Sequence, residues 1–130
     1  MPVHSETRKL PYSADQMYDL VADISAYPQF LPWCSAARIR SRTTQGECET
    51  VEADLVISFK VFRESFASRV ELWNMAKKID TQYLEGPFKH MKSSWEFVDT
   101  PSGCDVRFFV DFEFKNTILQ SIIGVAFNEA

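Results

Sequence analysis

Hydrophobic and polar residues alternate along most of this 130-residue chain, as expected for β-strands with one buried face. The clearest alternation is in the last such run, where the apolar positions are Val106, Phe108, Val110, Phe112 and Phe114. Weaker or shorter runs are predicted as strands at residues 2–10, 34–42, 51–59, 62–72, 79–84 and 91–97. One polar face per strand predicts an antiparallel sheet that water reaches on one side.

A helix is predicted between the first two strands. Ser13 has the character of an N-cap, and Gln16 three residues later completes a capping box. The apolar stripe that follows has helical spacing and consists of Met17, Leu20, Val21 and Ile24. The residue before a proline disfavours the α conformation, so the helix should end before Pro28. The segment 27–33 then predicts a short helical turn or loop rich in aromatic residues.

The final segment, Thr117–Ala130, predicts a second helix that covers the apolar face of the sheet. Its apolar residues surround most of the helix, which is typical of a helix buried on most sides. An outer apolar strip of the same helix would suit contact with a membrane surface. No stop signal precedes Ala130, so we expect the native helix to be longer.

Composition favours one globular domain over residues 1–130. Hydrophobic residues make up 45% and charged residues 25% of the chain, and the net charge of −4 argues against a broad phosphate-binding surface. The cysteines Cys34, Cys48 and Cys104 form no CxxC pair, and no secretory signal or membrane-spanning run is present. These features predict a cytoplasmic protein with reduced, buried thiols.

The sequence contains no pattern typical of a catalytic or metal site. His4 and His90 lie far apart, and HExxH, GxSxG and glycine-rich phosphate loops are absent from the sequence. We expect His90 to lie in a surface reversal at residues 87–91. Asp111, Glu113 and Arg107 are interpreted as a solvated cross-strand charge pattern. The sequence therefore predicts a binding protein, with no enzymatic activity, metal or cofactor.

Arg38, Arg40 and Arg42 alternate along one predicted strand and are expected on one face. Such a row usually provides solubility and protects a sheet edge. The alternative is a contact with anionic lipid headgroups or ribosomal RNA.

Aromatic residues are abundant, with 11 Phe, 3 Trp and 4 Tyr. Many occupy the apolar positions of the predicted strands, and Phe30 and Trp33 lie in the connecting segment. They form either an ordinary aromatic core or the lining of a cavity between sheet and helix, and composition leaves both interpretations open. Ser93, on the same face as Trp95, is a candidate hydrogen-bond donor to a ligand.

Several segments resemble the coenzyme Q-binding proteins of the START-like (helix-grip, polyketide cyclase/dehydrase-like) superfamily. The specific one is Tyr27-Pro28-Gln29-Phe30-Leu31-Pro32-Trp33-Cys34. Others are Val21-Ala22-Asp23-Ile24, Gly86-Pro87-Phe88, Trp95-Glu96-Phe97 and Val110-Asp111-Phe112-Glu113-Phe114. The resemblance implies an α+β fold in which a curved seven-stranded antiparallel sheet surrounds a long C-terminal helix and an internal hydrophobic cavity.

The resemblance also implies binding of ubiquinone or a related prenyl lipid, as a carrier that supports respiratory electron transport. The expected location is the cytoplasm, with peripheral contact at the inner membrane. Bacterial members are also described as ribosome association toxins, so an alternative function is binding to the large ribosomal subunit. A cyclase or dehydratase activity is a second alternative. The candidate cavity residues are Phe30, Trp33, Leu55, Ile57, Phe59, Phe66, Phe88, Trp95, Phe97, Phe112, Phe114, Ile118 and Ile122.

Overall fold

Seven antiparallel strands form one curved sheet, which confirms the predicted sheet type. The computed structural model describes residues 3–59, 62–117 and 121, with the backbone alone for Phe59 and Phe62. The elements in chain order are β1 (Val3–Leu10), α1 (Ala14–Ala22), a 3-10 turn (Ile24–Ala26), α2 (Tyr27–Phe30), β2 (Cys34–Gln45), β3 (Cys48–Phe59), β4 (Phe62–Trp73), β5 (Lys78–Glu85), β6 (Phe88–Thr100) and β7 (Gly103–Phe114). The strand order is β1-β7-β6-β5-β4-β3-β2, so β1 and β2 are the edges.

The capping box predicted for the first helix is present. The Ser13 hydroxyl accepts from the Gln16 backbone N–H at 3.1 Å, and the Ser13 backbone N–H donates to the Gln16 side chain at 2.9 Å. The Ala14 N–H donates to the Asp99 carboxylate at 2.9 Å, which fixes the start of α1 to the end of β6. Lys77 also holds this first turn of α1, because its ammonium pairs with Asp15 at 2.8 Å.

The helix ends before Pro28, as predicted, and the chain changes to a 3-10 turn and then to α2. Pro28 lies in the first turn of α2, where its missing N–H costs no hydrogen bond. The Tyr27 hydroxyl donates to the Val21 carbonyl and ties this turn to the end of α1. The segment is thus a short helical turn held in place by one of its own aromatic residues.

The side of the sheet that carries α1 is called the inner face here. The ring of Tyr18 on α1 contacts Phe97 with an edge-to-face geometry and a centroid distance of 6.1 Å. Register extends this face across the sheet, since Phe97 pairs with Val106 and Val51 pairs with Val70. These residues are buried, with Val51 at 0% exposure. The predicted alternation between an apolar and a polar face is confirmed.

The expected row of three arginines on β2 is wrong for one of its members. Arg38 pairs in register with Asp54, whereas Arg42 pairs with Val51, an inner-face residue. The register shifts between Ile39 and Ser41, where a bulge adds one residue to β2. An extra residue reverses the alternation of the side chains that follow. Arg38 therefore lies on the outer face and Arg42 on the inner side of the edge.

The expected position of His90 in a surface reversal is also wrong. Strand β6 begins at Phe88, so His90 is a strand residue that pairs in register with Glu113 on β7. The actual reversal is the two-residue connection Gly86-Pro87 between β5 and β6. The charge pattern expected around Asp111 and Glu113 is present, because Lys89 pairs with Glu113 at 3.3 Å and His90 with Asp111 at 3.0 Å.

Two parts of the expectation lie outside the described residues. The long C-terminal helix over Thr117–Ala130 is one, and with it the cavity residues Ile118 and Ile122. The side chain of Phe59 is the other. Thr117 and Ser121 are described, and the Ser121 hydroxyl donates to the Thr117 carbonyl at 3.1 Å. Within the described residues, no helix has the length and apolarity needed to cross a membrane.

The three cysteines are free and buried, which leads to a prediction about their reactivity. Burial raises the pKa of the Cys34 and Cys104 thiols, and the thiolate is the reactive form. We expect a disulfide reagent such as Ellman's reagent to react slowly with the folded protein at pH 8 and rapidly in 6 M guanidinium chloride. Rapid reaction of all three thiols in native buffer would contradict the burial described here.

Candidate functional site

The inner face carries a cluster of aromatic rings centred on Phe88, at the start of β6. Phe88 contacts four rings from three other strands, and each centroid distance lies between 4.5 and 6.2 Å. The neighbours are Phe66 on β4, Tyr83 on β5, and Phe112 and Phe114 on β7. The Phe88 backbone N–H also donates to the Tyr83 hydroxyl at 3.1 Å. Phe88 is thus the residue that joins four strands at this end of the sheet.

Gly86 is required beside this cluster. Its φ of +144° lies in a region that other residues rarely adopt, and a Cβ at this position would lie 2.6 Å from the Cβ of Phe66. The Gly86-Pro87-Phe88 segment therefore combines a close backbone approach with the ring at the centre of the cluster.

A second aromatic group lies nearer α1. Trp95 contacts Phe108 at a centroid distance of 4.4 Å and stacks with Phe97 at 6.1 Å. Phe97 in turn contacts Tyr18, whose pKa is raised to about 12, mainly by burial and then by the nearby Glu49 carboxylate. Solvent still reaches Trp95 and Phe108, which are half-buried, whereas Phe97 is 3% exposed.

Hydroxyl groups cross the middle of the inner face between the two aromatic groups. Thr81 pairs in register with Val70 on one side and with Ser93 on the other, and Ser93 pairs with Val110. Thr81 and Ser93 are half-buried. Neither hydroxyl has a side-chain hydrogen bond within the described part of the chain. These two donors are available to a polar atom of a molecule that lies against the face.

The candidate cavity residues whose side chains are described fall into three groups. Those on the inner face and buried, at 3–8% exposure, are Leu55, Phe66, Phe88, Phe97, Phe112 and Phe114. Those on the inner face and half-buried are Ile57 and Trp95. Those at the protein surface are Phe30 and Trp33, each 43% exposed. The structure thus brings the strand residues together and leaves the two loop residues near solvent.

The buried rings contact one another, as in an aromatic core. Half-buried groups nevertheless remain in the middle of the same face, and they include Trp95, Thr81 and Ser93. Lining of a ligand site by the candidate residues stays a prediction. Thr81 lies on the same face as Ser93 but was not predicted as a candidate hydrogen-bond donor. The alternation along β5 could have indicated it.

The outer face is dominated by ion pairs between neighbouring strands. Arg40 binds Asp54 at 2.7 Å and Glu85 at 3.3 Å, and its hydrogen bond to Asp54 is the main cause of its raised pKa. Arg107 pairs with Glu96 at 2.8 Å. The positive charge of these two arginines is therefore compensated by carboxylate partners on neighbouring strands.

An open depression of about 380 Å³ lies beside strand β6, lined by His90, Met91, Lys92 and Asp111. The His90 Nε2 atom is 3.0 Å from the Asp111 carboxylate. Within the described residues no group of three or more His, Cys, Asp or Glu side chains is placed to hold a metal ion.

A curved seven-stranded antiparallel sheet in this strand order is characteristic of the helix-grip, or START-like, class of proteins. A START superfamily protein from Mycobacterium smegmatis has this fold, with a TM-score of 0.78 and 20% identity over 97% of this chain and 89% of that one. An 18 kDa protein from Caulobacter crescentus matches with a TM-score of 0.84 and 35% identity over 99% of this chain and 87% of that one.

The chain belongs to the family described as polyketide cyclase/dehydrase and lipid transport, which it matches over residues 10–130. It is 42% identical over 127 residues to the ribosome association toxin RatA of Rickettsia prowazekii. This match covers 95% of this chain and 84% of the relative. It is also 30% identical to coenzyme Q-binding protein COQ10 homolog B of Xenopus laevis, over 97% of this chain and 52% of that protein. The predicted family is confirmed.

The aromatic cluster leads to a stability prediction. Phe88→Ala removes a ring that contacts four others, so we expect the free energy of unfolding to fall by about 3–5 kcal/mol. Met75→Ala is the matched control, because Met75 is 80% exposed and its truncation removes little buried area. Urea unfolding followed by circular dichroism measures both. A loss below about 1 kcal/mol for Phe88→Ala would mean that the cluster does not support the sheet.

Proposed function

We propose that the protein associates with the large ribosomal subunit. The observation that carries the proposal is the 42% identity, over 95% of this chain, to a relative named for ribosome association. The similarity to the coenzyme Q-binding protein is lower, at 30%, and that relative is nearly twice as long as the matched region. This order favours the ribosome over ubiquinone as the main partner.

The charge distribution is compatible with a small contact and argues against a broad one. The net charge is −4, and the outer-face cations Arg40, Arg69 and Arg107 already pair with carboxylates. Each neutralised phosphate adds to the salt dependence of binding to a nucleic acid. We therefore expect few phosphate contacts and a shallow dependence of binding on salt.

Co-sedimentation tests the proposal. We expect purified protein to pellet through a sucrose cushion with large ribosomal subunits at 50 mM KCl. Small subunits serve as the control and should retain less protein. Between 50 and 200 mM KCl the affinity should fall by about tenfold or less, since few phosphates are neutralised. Failure to pellet with large subunits at 50 mM KCl would contradict the function.

A second candidate function is binding of an amphipathic lipid on the inner face. The observation that favours it is the half-buried centre of that face, where aromatic rings border the hydroxyls of Thr81 and Ser93. Such a surface can bury the apolar part of a ligand and bind one oxygen atom of its head group. Ubiquinone or a related prenyl lipid has this chemistry. The expected membrane contact of the C-terminal helix lies outside the described residues and stays a prediction.

Adjacent serines on β6 provide a matched test of the lipid site. Ser93 faces inward and Ser94 outward, so Ser93→Leu blocks the proposed site while Ser94→Leu adds the same volume on the other side. We expect a short-chain quinone to quench tryptophan fluorescence with saturation, and the affinity to fall by about tenfold in Ser93→Leu, roughly the loss of one hydrogen bond. Equal affinities for the two variants would contradict an inner-face site.

We also propose that the protein binds its partners without transforming them. Acid–base catalysis needs carboxyl or imidazole groups free to exchange protons beside the substrate. At the rim of the inner face, the Asp99 carboxylate accepts from the start of α1, and Glu6 pairs with Arg8 at 2.8 Å. His90 and Asp111 pair with each other near the open depression, away from the aromatic cluster.

A further inference from the structure

We propose that one corner of the sheet binds a single-stranded RNA segment of the large ribosomal subunit. The corner consists of Phe30 and Trp33, before strand β2, together with Arg38 on β2 and Arg63 on β4. This inference rests on the proposed ribosome association and names the contact surface and the chemistry of the partner.

Two large aromatic residues are exposed at this corner. Phe30 and Trp33 are each 43% exposed, although apolar side chains of this size are usually more buried. The Tyr27 ring packs against Phe30 at a centroid distance of 5.8 Å, and the Tyr27 hydroxyl is held by the Val21 carbonyl. The exposed rings are therefore attached to a firmly held turn, which lowers the entropy lost when a base stacks on them.

Backbone pairing places Arg63 close to Trp33. The Ser58 N–H donates to the Trp33 carbonyl at 2.8 Å, and Ser58 pairs in register with Arg63 on the next strand. Two strand spacings therefore separate Trp33 from Arg63, or roughly 10 Å between their backbones. A short segment of single-stranded RNA can therefore contact the Trp33 ring and the Arg63 side chain at the same time.

The arginines of the protein divide into two sets. Those with a carboxylate partner within 4 Å are Arg8, Arg40, Arg42, Arg69 and Arg107. In the described part of the chain, Arg38 and Arg63 have no such partner, and both residues are exposed. Arg38 pairs in register with Asp54, but the Asp54 carboxylate binds Arg40 instead. Arg63 thus lies two strand spacings from Trp33, and Arg38 lies five residues after Trp33 along the chain.

This corner combines exposed aromatic rings with arginines that lack a carboxylate partner among the described residues. The combination fits single-stranded RNA better than a duplex. The bases of a single strand are free to stack on Phe30 and Trp33, and the guanidinium groups can bind phosphates in a bidentate manner. The deep, narrow major groove of an RNA duplex excludes such side chains. The same features also attract an anionic membrane, which the experiment has to distinguish.

The test uses a fluorescent 12-nucleotide single-stranded RNA of mixed sequence and the full chain. We expect fluorescence anisotropy at 50 mM KCl to show saturable binding that weakens by about fivefold or more in Trp33→Ala and in Arg63→Gln, as for the loss of one stacked base or one phosphate contact. Arg69→Gln is the matched control, because Arg69 lies on the same strand and pairs with Glu52. Its affinity should stay within about twofold, since a paired surface arginine contributes little. Trp33→Phe should retain binding because it keeps a ring.

The same variants are then tested with large ribosomal subunits and with vesicles containing 30% phosphatidylserine. Subunit binding that falls with Trp33→Ala and Arg63→Gln, but not with Arg69→Gln, supports the RNA contact. If the wild-type protein binds the subunits and these variants bind them equally well, the inference is overturned and the proposed function is preserved. Absence of wild-type subunit binding would remove the function itself. Binding to vesicles without binding to RNA would overturn the inference in favour of a membrane contact.

Discussion

Contacts between aromatic rings on the inner face hold strands β4, β5, β6 and β7 together. Phe88 contacts rings from β4, β5 and β7, so a single side chain connects strands that are far apart in the sequence. This contact also requires Gly86, since any larger residue would collide with Phe66. Burial of these rings is the main hydrophobic contribution visible at this end of the sheet.

The sheet separates three chemical environments. The inner face is apolar, with a few hydroxyls at its centre. The outer face carries ion pairs between adjacent strands, among them Arg40 with Asp54 and Arg107 with Glu96. The corner near Trp33 is where exposed rings meet arginines that lack a carboxylate partner among the described residues. A lipid-like ligand and a ribosomal partner would therefore use different surfaces, so one function does not exclude the other.

Much of the fold could be predicted because side-chain alternation in a strand is a local property. The alternation alone predicts that Phe112, Phe114 and Trp95 lie on the apolar face of the sheet, and the strand register places them there. It failed at Arg42, because a bulge reverses the alternation and no turn residue marks the bulge in the sequence. The prediction that His90 lies in a surface reversal was also wrong. The pairing of His90 with Asp111 joins two strands and depends on their register.

The sequence by itself determined the strand pattern, the capped first helix, the family and the aromatic residues of the inner face, because each depends on local spacing or on a continuous motif. Only the tertiary structure decided which charges are paired and which exposed rings lie near them. Arg63 lies near Trp33 because Ser58 links the start of β2 to β4 through β3. The Asp54 carboxylate binds Arg40 and not Arg38, its partner in register. These relations join residues on different strands, so register and bulges set them rather than spacing along the chain.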